Sequence, residues 1–359
     1  MNFDQFLFPP PPPPKNETSD QIGPPIELAP VIARYHFYND LVSGISSVIL
    51  NILIMYIVTN RIASATVAFK RVMCVSKTFD ILFSVSYIMT APIFTSIAIK
   101  PKFSGLMIVN AGWQFSFAGS QIFLAASLVL LTQQIFLAPW LYYFRYAQVC
   151  RKDGIKRIDV FLTVLFNIVL QCFTTVCFCY ASIPTSMDIL WMQEVTIKFT
   201  GIKSAFLILS YTKEYSVLKE RVNQVISIVA AVGYMTSLVL SIFIMIFCTI
   251  KINLKVRESK SISNNLLVLQ KRANRILLTQ FFCPLFFIQL PFYYSILGPI
   301  VGLSQGLATD MLPLLFAWTP VINTLLVFVL NAEIRNALVR KQRTTFVTSE
   351  AKRSVVVKE

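Results

Sequence analysis

The chain has 359 residues, 55% of them hydrophobic and only 14% charged, with 30 Phe and a mean hydropathy of +0.65. That is more apolar surface than a water-soluble domain can hide, so the composition excludes a soluble globular protein and points to a bilayer. The formal charge of +15 would also suit a nucleic-acid binder, but the Lys and Arg sit between apolar runs rather than along one surface, so the charge reports topology.

Residues 1–36 begin MNFDQFLFPPPPPPKNETSD, where Pro9 to Pro14 cannot continue a helix and predict a stiff, extended segment in a disordered N-terminus. The apolar part before the prolines is too short for the h-region of a signal peptide. Asn16, Glu17 and Thr18 form the only N-x-S/T sequon, which makes Asn16 a glycosylation site if this end faces the lumen.

Seven apolar stretches follow, at about 37–59, 72–97, 112–142, 159–182, 224–250, 274–299 and 307–331. Each supplies the roughly twenty residues that cross a hydrocarbon core of about 30 Å. The expected fold is therefore an all-α membrane protein, a seven-transmembrane helix bundle. Its direction follows from the end of the third run, where Arg145, Arg151, Lys152, Lys156 and Arg157 cluster. Basic residues close to a span stay in the cytoplasm. The loops on that side and the tail hold 22 Lys and Arg, against 9 on the other side. The N-terminus is thus expected outside and residues 332–359 in the cytoplasm, in agreement with the sequon.

The outer connection 183–223 is long and mixes both charges with Trp191, Phe199, Phe206 and Tyr211. A loop of this length predicts a job such as covering a pocket. Its apolar middle, Ser204 to Tyr211, is too short for an eighth span.

Charges inside spans are few and costly, so each needs a partner. Asp80 lies nine residues after Arg71, about 13 Å into the membrane. Lys77, three residues earlier on the same helical face, is a candidate partner. Asn51 and Asn323 come to similar depths, so the three polar groups could meet. Two readings are open: polar groups that hold helices together, or a cluster that rearranges when the bundle switches state. Prolines at Pro92, Pro139, Pro284, Pro291, Pro313 and Pro320 each remove a backbone hydrogen bond, either to open a functional kink or simply to set helix shape.

Towards the outer ends, Trp113, Gln114, Gln121, Gln289, Phe292, Tyr293, Tyr294, Asp310 and Trp318 are candidates to line a small-molecule pocket, although Tyr and Trp at span ends also act as interface anchors. Asp310 stands out as the only charge near its helix mouth. On the inner side, Lys251 to Arg275 reads as a basic helical extension, and Asn331 to Arg343 as a short amphipathic helix on anionic lipid. No HExxH, CxxC, GxSxG or phosphate-loop pattern occurs, and His36 is the single histidine, so no metal, cofactor or enzymatic centre is expected. All seven cysteines fall in apolar runs or the basic inner loop, so no extracellular disulfide is expected. A transporter or channel is the rival class. It would need inverted repeats and charges along a path, and spans one to three and five to seven show no evident self-similarity.

The order of these features resembles the nematode seven-transmembrane chemoreceptors of the Str type, a group of G-protein-coupled receptors. The resemblance rests on Gly44 and Asn51 in the first span, and on Lys70, Phe79, Asp80, Ile81, Leu82 and Pro92 around the second. Tyr143-Phe144-Arg145-Tyr146 after the third span adds to it. So do LQKRANRILLTQ ahead of Pro284 and Pro291, Thr319-Pro320 with Asn323, and Ile334-Arg335-Asn336-Ala337-Leu338. It covers about residues 40–340. It implies sensing of an odorant or soluble cue at the plasma membrane, in a sensory cilium, with signalling through a heterotrimeric G protein. It also implies switch roles for Arg145 and Tyr146 beside Asn51, Asp80, Pro320 and Asn323. The chain departs from rhodopsin-like receptors at Phe144, which stands where those have an acid. It also lacks their Asn-Pro-x-x-Tyr motif and the cysteines that tie the third helix to the second outer loop.

An odd number of crossings makes one prediction directly. Epitope tags at the two ends should lie on opposite sides of intact cells, with only the N-terminal tag reached by antibody before permeabilisation.

Overall fold

A computed structural model describes residues 28–61, 67–99, 103–150, 157–213, 218–258, 278–279, 282–300, 310–331 and 334–336. The polyproline run, Asn16, the basic stretch 259–277 and the tail beyond residue 336 lie outside the described residues.

The helices are α1 (Ala29–Asn60), α2 (Val67–Thr90), α3 (Phe117–Cys150), α4 (Arg157–Ser182), α5 (Ser186–Thr200), α6 (Leu218–Glu258), α7 (Leu290–Ile300) and α8 (Pro313–Leu330). A π-helical turn, Leu285–Gln289, leads directly into α7. Three strands, β1 (Pro92–Ile99), β2 (Phe103–Asn110) and β3 (Phe206–Lys213), complete the fold. All helices except α5 form a seven-helix bundle. Among the described residues, α1, α3, α4, α6 and α8 are long and apolar enough to cross a membrane by length and composition.

The bundle is apolar outside and polar inside, as expected where lipid is the solvent. On α1, Val42, Ile45, Ile49, Ile52 and Tyr56 are exposed, while His36, Asp40, Ser43, Ser47 and Asn51 are buried. Those buried positions recur every three or four residues and so form one stripe. α1 packs on α2 and α8, α2 on α3, and α6 on both α3 and α4. Gly44 lets α1 approach α2 closely, since a Cβ there would lie 2.4 Å from Ile88 Cγ1.

Several boundaries differ from those expected. α1 starts at Ala29, so residues 29–36 are helical rather than part of a disordered terminus. The second span stops at Thr90 instead of continuing to 97. Pro92 therefore ends a helix and begins a strand, because a residue preceding proline is disfavoured in the helical region. Ala91 turns the chain there with φ of 36°. Backbone N–H groups of Gly112 and Trp113 then donate to the carbonyls of Thr90 and Met89 at 3.0 and 2.8 Å, capping α2 from outside.

The connection 183–223 is a structured cover. α5 opens with a reciprocal capping box, in which Thr185 Oγ1 accepts from Asp188 N–H and Asp188 Oδ2 accepts from Thr185 N–H. The strands form one antiparallel sheet in the order β1-β2-β3. Alternate residues serve two cores. Phe94, Leu106, Ile108, Leu207 and Leu209 join the core of the bundle, while Ile93, Met107, Val109, Phe206 and Ile208 pack with Met192, Val195 and Phe199 of α5. The sheet is thus a lid buried on both faces, sandwiched between helix bundle and α5.

The latch between β2 and α2 has no room for a side chain at Gly112, where a Cβ would lie 2.2 Å from the Met89 carbonyl oxygen. Gly112→Ala is expected to destabilise the protein by roughly 1–3 kcal/mol through this overpacking, read as a lower thermal midpoint of the detergent-solubilised protein.

Candidate functional site

Three groups of buried side chains carry the chemistry of the interior. The first is an ion pair at mid-bundle. Lys77 Nζ lies 2.8 Å from Asp80 Oδ2, and it is the one salt bridge among the described residues. The spacing i, i+3 puts both on one face of α2. Lys77 also donates to Thr324 Oγ1 at 2.9 Å, and Thr324 in turn donates to Asn51 Oδ1 at 2.8 Å. The Asn51 amide donates to the Ser47 carbonyl at 2.8 Å, and Ser84 Oγ stands 2.6 Å from Ser47 Oγ. Gln134 of α3 lies beside Asp80. One continuous set of bonds therefore ties α1, α2 and α8 together with α3 alongside.

Asn51 and Asp80 are connected through Thr324 and Lys77, but Asn323 does not join them. Thr324 takes that place, and Asn323 Oδ1 has no hydrogen-bond partner among the described residues. Neighbouring residues on a helix point about 100° apart, and a depth argument is blind to rotation. Pro320 is buried inside α8, one turn above Thr324.

The second group is a buried polar cluster, or chamber wall, at the sheet end, between α1, α2, α8 and β1. His36 Nε2 donates to the backbone carbonyl of Asp310. Asn39 donates to Asp40 Oδ1 at 3.0 Å and to the Leu314 carbonyl at 3.3 Å, and it accepts from the Trp318 indole at 2.8 Å. Asp40 lies near Tyr87, and the Thr95 hydroxyl faces Asp310. His36, Asp40, Tyr87 and Asp310 are each at most 1% exposed. Even so, His36 Nδ1, Asp40 Oδ2, Tyr87 OH and Asp310 Oδ1 all lack a partner among the described residues. Buried polar atoms are nearly always paired, and four orphans in one place are a feature that a bound polar molecule would satisfy. Of these residues only Asp310 and Trp318 stood out in the sequence. The signal for the rest was the polar stripe of α1, in which His36 and Asp40 are one turn apart.

The third group is aromatic. Phe94 of β1 reaches down to Phe292 and Phe316 at centroid distances of 6.2 and 5.5 Å, and Phe292 meets Tyr234 at 6.2 Å. Tyr234 OH is 2.8 Å from Thr132 Oγ1. Gln289 donates to Ser241 at 3.4 Å, while its Oε1 and the Tyr293 hydroxyl are buried without partners among the described residues.

The remaining pocket candidates lie apart. Trp113 is 59% exposed and Gln114 is also exposed, bonded to the Asn110 carbonyl, and Gln121 donates to the Phe206 carbonyl of β3. Tyr294 is exposed. At the opposite end, Arg145 lies in the last turns of α3, and Tyr146 packs against Phe247 of α6 at 6.3 Å.

A buried ion pair is most sensitive to losing one member. Lys77→Met leaves the Asp80 carboxylate alone and is expected to cost about 3–5 kcal/mol, whereas Lys77→Met with Asp80→Leu should recover most of that loss. Thermal unfolding of the three proteins distinguishes the outcomes.

Comparison with known proteins agrees with this architecture. No curated protein matches the chain. Among solved structures it is similar to squid rhodopsin, with 12% identity over 89% of this chain and 86% of that one and a TM-score of 0.58, a likeness of fold. The family model described as serpentine type 7TM GPCR chemoreceptor Str matches residues 37–339. With most of its length matched and seven helices in a rhodopsin-like bundle, the chain belongs to the Str family of seven-transmembrane G-protein-coupled chemoreceptors.

Proposed function

We propose that the protein is a plasma-membrane receptor whose sheet end faces the exterior, and that a small polar molecule binds in the chamber formed by His36, Asp40, Tyr87 and Asp310. The observation that carries this reading is the set of four buried polar atoms, between α1, α2, α8 and β1, that have no partner among the described residues. A ligand with hydrogen-bond donors, such as an amine or a polyol, would satisfy both carboxyl groups. The sheet closes the chamber, so entry requires the lid to move.

Such a ligand acts only through its different affinities for two states of the bundle; a tenfold preference supplies about 1.4 kcal/mol. Asp40, Ser43, Ser47 and Asn51 lie on one stripe of α1, so a change at the chamber reaches the Lys77–Asp80–Thr324–Asn51 linkage along a single helix face. Rearrangement of that linkage moves α8 against α1 and α2. The basic end of the bundle, with Arg145 and Tyr146 at the base of α3, then opens to a heterotrimeric G protein. The charge bias of the loops supports this orientation.

The test is a ligand screen in cells reporting G-protein activation. With an active ligand in hand, Asp310→Ala is expected to lower potency about tenfold with the maximal response kept. Arg145→Ala should lower the maximal response at unchanged potency. Wild-type potency in Asp310→Ala would remove the chamber as the ligand site.

A further inference from the structure

A second site faces the lipid. A cavity of about 380 Å³ lies between α3, α4 and α6, within the range of small-molecule pockets. Phe136, Pro139 and Trp140 of α3, Phe166 and Asn167 of α4 and Ser241 of α6 are part of its wall. Phe166 and Leu162, which also line it, are each 54% exposed, so its mouth opens sideways on the apolar face of α4, away from the sheet. None of the chamber residues is part of it.

The walls are apolar apart from a few groups, and those groups decide the occupant. Asn167 sits ten residues from the start of α4, about 15 Å from that end. Pro139, inside α3, has no N–H and so offers the cavity no backbone donor. Ser241 already donates to the Leu238 carbonyl at 2.6 Å. What remains among the described lining residues is the Asn167 side-chain amide, which both donates and accepts. A phospholipid keeps its polar head at the interface and brings only hydrocarbon to this depth. A molecule that brings one hydroxyl so deep must be small and otherwise apolar.

We propose that this cavity binds an aliphatic alcohol that partitions into the bilayer and enters between α3 and α4. Its hydroxyl bonds to the Asn167 side-chain amide, and its chain lies against Phe136, Trp140 and Phe166. The site is independent of the sheet-end chamber and would remain if that chamber bound nothing.

The test uses the full-length protein in phosphatidylcholine vesicles and a photoreactive diazirine derivative of octanol. Labelling is expected to concentrate on 136–143, 162–170 and 241–244, and to be competed by octanol but not by octane. Asn167→Leu should lower incorporation about fivefold with an unchanged unfolding temperature. Leu170→Trp, which fills the cavity without touching a polar group, should abolish it and serves if Asn167→Leu does not fold. Even labelling of every lipid-exposed helix face, or competition by octane equal to that by octanol, would overturn the proposal.

Discussion

The ammonium of Lys77, held between the Asp80 carboxylate and the Thr324 hydroxyl, is the contact on which the bundle interior depends. A bilayer offers no water to solvate a charge, so a cation and an anion within a span persist only if they find each other and are bonded further. Thr324 supplies that further bond from α8 and passes it to Asn51 on α1. The pair therefore selects which faces of α1, α2 and α8 turn inward. The polar stripe of α1 follows the same logic, and the apolar residues between its members are left for lipid.

The sheet imposes the second constraint. The three-stranded sheet lies across the end of the bundle and buries both faces, because α5 covers its other side. Phe94 of this lid stands against Phe292, which follows the π-helical turn between Pro284 and Pro291. A π turn carries a poorer hydrogen-bond pattern than the helix around it and recurs at functional sites. The lid and the helix that follows that turn are thus joined through packed rings.

Lys77 with Asp80 was legible in the sequence because i, i+3 spacing on a helix is a geometric certainty once the helix is granted. Asn51 was legible from its depth. Thr324 was not, because depth along an axis says nothing of rotation about it, and Asn323 had the more conspicuous side chain. The strands were missed for a related reason. Residues 92–95 and 206–209 are buried on both faces, so these strands lack the polar alternation that marks a half-exposed strand and read as membrane or loop. Trp113 and Gln114, chosen as pocket candidates for their chemistry, are exposed beside the latch that caps α2.

By itself, the sequence determined that this chain is a membrane protein of seven spans with a basic side, since hydrophobic length and Lys and Arg placement act locally and need no knowledge of neighbours. It also carried the motif order that its family shares. Only the tertiary structure decided that His36 and Asp40 stand with Tyr87 and Asp310, residues up to 274 positions apart. It likewise decided that the apolar strands close the bundle. Which polar groups remain unpaired is a property of how helices are rotated against one another, and that rotation is set by packing across the whole molecule rather than by any segment of it.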